Sequence, residues 1–147
     1  PLLKLYRNSK WYKKPKKMLE RQEYTDFEEL KSIFNRTVTL VKEEQHFLNK
    51  NLKLSDLAKE LSYNERQLSR SINKFSDGNF NKFINSFRIG HSKELLVGEK
   101  FDHFTIEAIA GECGFSYKVS FYNAFKSEIG MSPTQFLALK KSKQKMP

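Results

Sequence analysis

The sequence has one cysteine, Cys113, so it can form neither an intrachain disulfide nor a multi-cysteine metal site. It has no run of 18 apolar residues and no signal-peptide pattern, so the chain as given is read as neither membrane-crossing nor exported, and a cytoplasmic setting is expected. Its 3 histidines, His46, His91 and His103, are scattered, with no Cys or carboxylate at a metal-motif spacing. A phosphate-binding glycine loop and a nucleophile elbow are absent too. The chain is therefore expected to be no enzyme and to need no metal or cofactor. Acidic residues are short, with 17 Asp and Glu against 27 Lys and Arg, a formal charge of +10.

That excess is terminal. Lys4, Arg7, Lys10, Lys13, Lys14, Lys16 and Lys17 precede any acid, and Lys140, Lys141, Lys143 and Lys145 crowd the other end, so the stretch between is close to neutral. Charge alone therefore does not establish a nucleic-acid partner. What is abundant is phenylalanine: 13 Phe in 147 residues of 38% hydrophobic content are enough for one core, with an extension.

The most structured stretch is TIEAIAGECGFSYKVSFYNAFKSEIGMSPTQF, residues 105–136. Ile106, Ile109, Ala110 and Cys113 fall at i, i+3, i+4 and i+7, one face of a short helix that Thr105 can cap and Gly114 ends. Ser116 can cap a second helix with Phe121, Phe125 and Ile129 buried. Small Ala110 at the crossing and Phe115 in the turn make the pair a helix-turn-helix. The second helix of such a unit can enter a DNA major groove. Off its buried stripe lie Val119, Tyr122, Asn123 and Lys126, with Lys118 at the stripe's edge. Lys can donate to guanine, Asn can pair with adenine, and Val can touch a thymine methyl.

The pattern occurs twice. In LSDLAKELSYNERQLSRSI, Leu54, Leu57, Ala58 and Leu61 repeat Ile106, Ile109, Ala110 and Cys113 at an offset of 52, and Tyr63 falls on Phe115. Asn64 falls on Ser116, and after a one-residue adjustment Leu68 and Ile72 fall on Phe121 and Phe125. Asn64 and Gln67 form a capping pair, and Arg66, Ser69 and Arg70 are the exposed base-reading candidates of this helix. An Arg with two bonds to guanine contributes roughly 1–3 kcal/mol of discrimination, whereas a phosphate contact adds affinity without sequence preference.

Two such units, joined by a helix containing FINSFRI and finished by Gly114, Phe115, Phe121, Phe125, Lys126, Gly130, Pro133 and Phe136, resemble the AraC/XylS-type DNA-binding domain over about residues 53–141. The resemblance implies an all-α fold: two helix-turn-helix units on a long linker helix, preceded by an extra helix. It also implies a sequence-specific transcription regulator, reading successive major grooves of double-stranded DNA about 34 Å apart. In that picture Arg88 ties the units together. The sequence departs from the family at Leu137, where Arg is usual, at Ser92, where Ala is expected, and at Asp77, where the usual Gly is displaced to Gly78. Asp tolerates a left-handed backbone better than most residues, so the turn can survive with Asp77 in the place of the usual Gly. Lys53 replaces a capping Ser or Thr, leaving that helix end less well satisfied.

Residues 1–24 are expected to be a basic linker, with Pro15 interrupting any helix, and 25–142 the double helix-turn-helix domain. Opening on Pro rather than Met, the chain looks excised from a longer one. Its basic, aromatic start suits either a solvated arm or a segment just inside a membrane, as in membrane-anchored relatives of the family. A missing N-terminal region would then supply the tether, the sensor and any oligomer contacts, and RNA polymerase is a candidate partner. Thr25 and Glu28 read as a capping box opening a helix with Leu30, Phe34, Val38, Val41 and Leu48 as its stripe. Asn49–Asn51 make the turn into the first unit. Asn79 caps the linker helix, whose buried side is Phe80, Phe83, Ile84, Phe87 and Leu95. Ser132, Pro133 and Gln135 open the last helix, which closes the second unit through Phe136, and the tail KKSKQKMP, including 143–147, is expected to be frayed. The competing reading is a non-catalytic helical module held at an acidic membrane surface by its basic start.

Overall fold

The computed structural model describes residues 16–98 and 103–144. The expectations for residues 1–15, for the loop at 99–102 and for 145–147 lie outside that range. Among the described residues the chain is all-helical. Helix α1 spans Lys16–Glu43, a 3-10 turn follows at His46–Leu48, and α2 (Leu54–Glu60) and α3 (Glu65–Phe75) form the first unit. Helix α4 (Phe80–Val97) leads to the second unit, α5 (Ile106–Glu112) and α6 (Lys118–Ile129), and α7 (Pro133–Gln144) closes the chain. None of these helices is long and apolar enough to cross a membrane.

Short polar side chains set most helix starts. Asn64, Asn79 and Thr105 accept from the backbone N–H three residues on at 2.8, 3.1 and 3.1 Å, each satisfying one of the helix's orphan donors. Ser132 and Gln135 exchange both bonds of a capping box, at 2.9 and 3.2 Å, with Pro133 in the first turn. At α2 the Asp56 carboxylate accepts from the Lys53 N–H at 2.9 Å. The ammonium of Lys53 has no acceptor to return the bond, so only half of a capping box forms there.

Three expectations are corrected. Thr25 does not open α1: the helix begins at Lys16, and the Thr25 hydroxyl donates to the carbonyl of Arg21 at 2.8 Å inside it. Its buried stripe is Leu30, Ile33, Thr37 and Val41, with Phe34 and Val38 half-buried, and Leu48 belongs to the 3-10 turn. Asp77 is not left-handed: α3 ends on an extended Ser76, whose hydroxyl donates toward the Ile72 and Gly78 carbonyls at 2.8 and 3.0 Å. The Ile72 carbonyl already accepts from the Ser76 N–H at 2.9 Å, so the hydroxyl adds a second contact there and ties the helix end to Gly78 without a left-handed cap. The tail is helical as far as Gln144, since Lys and Gln are good helix formers and cations complement the dipole at a C-terminus.

Two cores result, and α4 serves both. Its first half buries Phe83 and Ile84 against Leu30, Ile33, Val41, Leu57, Leu68 and Ile72. Its second half buries Ile89 and Leu96 against Ile109, Cys113, Phe115, Phe121 and Phe125. Each unit gains a third layer, α1 for the first and α7 for the second, where Phe136 packs edge-on against Phe125 at 5.5 Å. Ser92, where Ala was expected, is fully buried and donates to the Ile89 carbonyl at 2.8 Å, so the hydroxyl carries no desolvation penalty.

Candidate nucleic-acid interface

Both units turn on one backbone device. Tyr63 N–H bonds the Ala58 carbonyl at 2.9 Å and Phe115 N–H bonds the Ala110 carbonyl at 3.0 Å, while the preceding residue, Ser62 or Gly114, takes a positive φ of 58° or 88°. The small Ala58 and Ala110 are buried at the helix crossings. The turns part only afterwards: one residue, Asn64, precedes α3, whereas Ser116 and Tyr117 precede α6. Tyr117 rather than Ser116 is the N-cap of α6, and it makes no side-chain capping bond. The inserted Ser116 is the one-residue adjustment between the repeats, which displaces the serine from the capping position.

The faces presented differ. On α3, Leu68, Ser71 and Ile72 point inward, with Ser71 donating to the Leu30 carbonyl of α1 at 2.7 Å. Arg66 and Arg70 are exposed; Ser69, expected to be exposed, is half-buried. Arg70 and Lys74 border a groove whose far wall is Glu20, Glu23 and Asp26 of α1. Lys74 also lies over the Phe27 ring at 5.1 Å, and Gln67 donates to Glu29 at 3.4 Å. These contacts hold α1 beside the first outward helix, and no local pattern in the sequence encodes them.

On α6, Phe121 and Phe125 are fully buried, while Val119 is 69% exposed and Asn123 and Lys126 are exposed. Tyr122 is half-buried, its ring against Phe121 and its hydroxyl 3.5 Å from that of Thr134. Lys118 pairs with Glu107 of α5 and lies over the Tyr122 ring at 5.4 Å. Its bond to Glu107 raises the Lys118 pKa and, reciprocally, holds the Glu107 carboxylate below its ordinary value. Lys118 is thus partly occupied within the protein, which its place in the sequence did not reveal. Two further exposed residues, Tyr117 and Ser120, adjoin this face; a helical projection of α6 finds Ser120, and the shifted N-cap explains Tyr117.

Arg88 joins the units. Its Nε donates to the Phe47 carbonyl at 2.7 Å, one terminal nitrogen to the Asn49 carbonyl at 2.8 Å and the other to Asn85 at 3.3 Å. Its guanidinium lies 5.4 Å from the Phe115 ring. Burial pulls its pKa down, and the bonds to oxygen offset that desolvation.

Two helix-turn-helix units on a shared linker helix define a double helix-turn-helix module. A family model described as a helix-turn-helix domain matches residues 57–138, and the chain belongs to this AraC-type family of DNA-binding transcription regulators. It is 29% identical over 126 residues to the Msm operon regulatory protein of Streptococcus mutans, covering 85% of this chain and 44% of that protein. The chain therefore spans less than half the length of that relative. Among solved structures it resembles the C-terminal domain of AraT, a response regulator from Geobacillus stearothermophilus, with a TM-score of 0.62 and 27% identity over 73% of this chain and 84% of that one. The fold is shared with the DNA-binding domain of AdpA, solved in complex with a target DNA, at a TM-score of 0.63 and 19% identity, covering 78% and 97% of the two chains.

Proposed function

We propose that this chain is the sequence-reading part of a longer transcription regulator and that α3 and α6 read successive major grooves of one duplex. The observation that carries this is the doubled turn: the same backbone bonds set an outward-facing helix in each unit. In α3, Arg66 and Arg70 read guanines, with Ser69 and Lys74 at the edges. In α6, Asn123 reads adenine and Val119 packs on a thymine methyl, while Lys118, Tyr122 and Lys126 flank them and hold the backbone. The two half-sites then differ in base composition, guanine-rich under α3 and A·T-rich under α6. Residues 25–142 are the reading unit; sensing, assembly, any tether and any contact with RNA polymerase fall to the remainder of the longer protein.

The test is selection of duplexes from a random pool, followed by competition binding. Arg70→Ala and Asn123→Ala are each expected to relax preference at one of two half-sites about a helical turn apart, at a cost of roughly 1–3 kcal/mol on the preferred site. Equal weakening on all sequences by both variants would refute the base-reading assignment. Flotation with anionic vesicles, without preference for any duplex, would favour the membrane-surface reading instead.

A further inference from the structure

Between the two units lies a cleft of about 300 Å³. Lys50 stands at one side, Asn81 and Asn85 of α4 form a second wall, and Ser116 and Ser120, at the start of α6, form a third, with Arg88 among the lining residues. The lining contains no carboxylate, unlike the groove under α1 with its Glu20, Glu23 and Asp26. Lys50, Asn81, Ser116 and Ser120 make no side-chain hydrogen bond or ion pair within the described residues. Tyr117, the N-cap of α6, also lines the cleft and makes no side-chain capping bond. Ser120 is one helical turn from Asn123, so the cleft opens beside the face that carries Val119 and Asn123.

We propose that this cleft seats a backbone phosphate of the strand that crosses between the two major grooves, with Lys50 as the neutralising cation and Ser116 and Ser120 as donors. The inference rests on the DNA-reading proposal above. A duplex engaged by both units presents its sugar–phosphate backbone to whatever joins them, and unpaired donors without a competing carboxylate match the chemistry of a phosphate diester. Seating it fixes the register of both recognition helices at once without reading a base.

The test pairs Lys50→Gln with duplexes carrying a single neutral methylphosphonate at each position between the half-sites. Lys50 is exposed, so the variant keeps the fold. Lys50→Gln is expected to weaken the preferred and scrambled duplexes alike, by about five- to tenfold, and to lower the salt slope by about one. At one or two spacer phosphates the methylphosphonate should weaken the unaltered protein but have little further effect on the variant. Fully additive losses at every position would overturn the proposal while leaving the DNA-reading assignment intact, as would a changed sequence preference in the variant. If the unaltered protein prefers no duplex, the reading fails first and the cleft loses its ligand with it.

Discussion

At the tip of the first turn Ser62 is exposed, whereas at the tip of the second Gly114 is buried, although both follow the same left-handed path. The aromatic beside each tip lies under an arginine from elsewhere: Arg36 of α1 is 5.2 Å from the Tyr63 ring and donates to its hydroxyl at 2.6 Å, as Arg88 lies over Phe115. The surroundings of the tips differ. A Cβ on Gly114 would fall 2.5 Å from the Phe47 carbonyl oxygen and 2.9 Å from that of Leu48, with Arg88 Nε at 3.0 Å. The second turn is therefore pressed against the first unit's 3-10 turn and is the seam of the molecule, while the first turn faces solvent. A repeated motif can keep its backbone in both copies and still impose different side-chain rules, because the neighbour sets the rule.

The largest effect follows from that seam. Gly114→Ala combines a positive φ with overlap against main-chain oxygens that cannot rotate away, and should destabilise the domain by at least about 2 kcal/mol. Chemical denaturation measures the loss, and Cys113 reports where it occurs. Burial, and secondarily the charge of Glu112, push its thiol pKa up to about 12. The raised pKa means that the native state keeps its proton, so this contribution to stability is present below the ordinary thiol value of 9.0 and is lost as pH rises above it. At pH 8 a thiolate-selective reagent should label the native protein slowly and Gly114→Ala much faster. Unchanged stability and unchanged labelling in the variant would mean that the seam opens freely.

How far the sequence exposed this arrangement depends on whether a feature is local. The repeat of Leu57, Ala58, Leu68 and Ile72 against Ile109, Ala110, Phe121 and Phe125 is written in spacing, and every one of those eight is buried. The caps at Asn64, Asn79, Thr105 and Ser132 are local too, and they form as read. Thr25 and Glu28 have the spacing of a capping box yet lie mid-helix, because the turn before them is itself helical and the Thr25 hydroxyl bonds back to Arg21. The repeat shows that the second turn is one residue longer but not where the extra residue falls: it lies before the cap, which passes from Ser116 to Tyr117, and the helix ends differ too, since α3 stops on extended Ser76 and α6 on left-handed Gly130. The Lys118–Glu107 pair, the acids of α1 beside Arg70 and the Lys50 cleft join residues from separate elements, so no window of sequence displays them.

A smaller effect of opposite sign should come from the linker helix that the units share. Gly90 lies in α4 with nothing within 4 Å of where a Cβ would sit. Gly90→Ala should therefore stabilise the domain by about 0.5–1 kcal/mol, through helix propensity and a less flexible unfolded chain. If the midpoint of denaturation does not rise, Gly90 serves a need for bending that its surroundings do not display.

The smallest effect sharpens the comparison most. Ser62 has the left-handed φ of Gly114 without its crowding, so Ser62→Gly relieves the strain of a side chain in that region but adds freedom to the unfolded chain. The two terms are each of order 1 kcal/mol and opposed, and the net change should be a few tenths in either direction. Gly114→Ala and Ser62→Gly thus exchange residues of similar kind at equivalent places, with effects predicted to differ severalfold. Denaturation midpoints for the two variants, measured together, decide it. A shift for Gly114→Ala as small as that for Ser62→Gly would mean that the backbone conformation alone governs both turns, and that the packing of the second against the Phe47 and Leu48 carbonyls adds nothing.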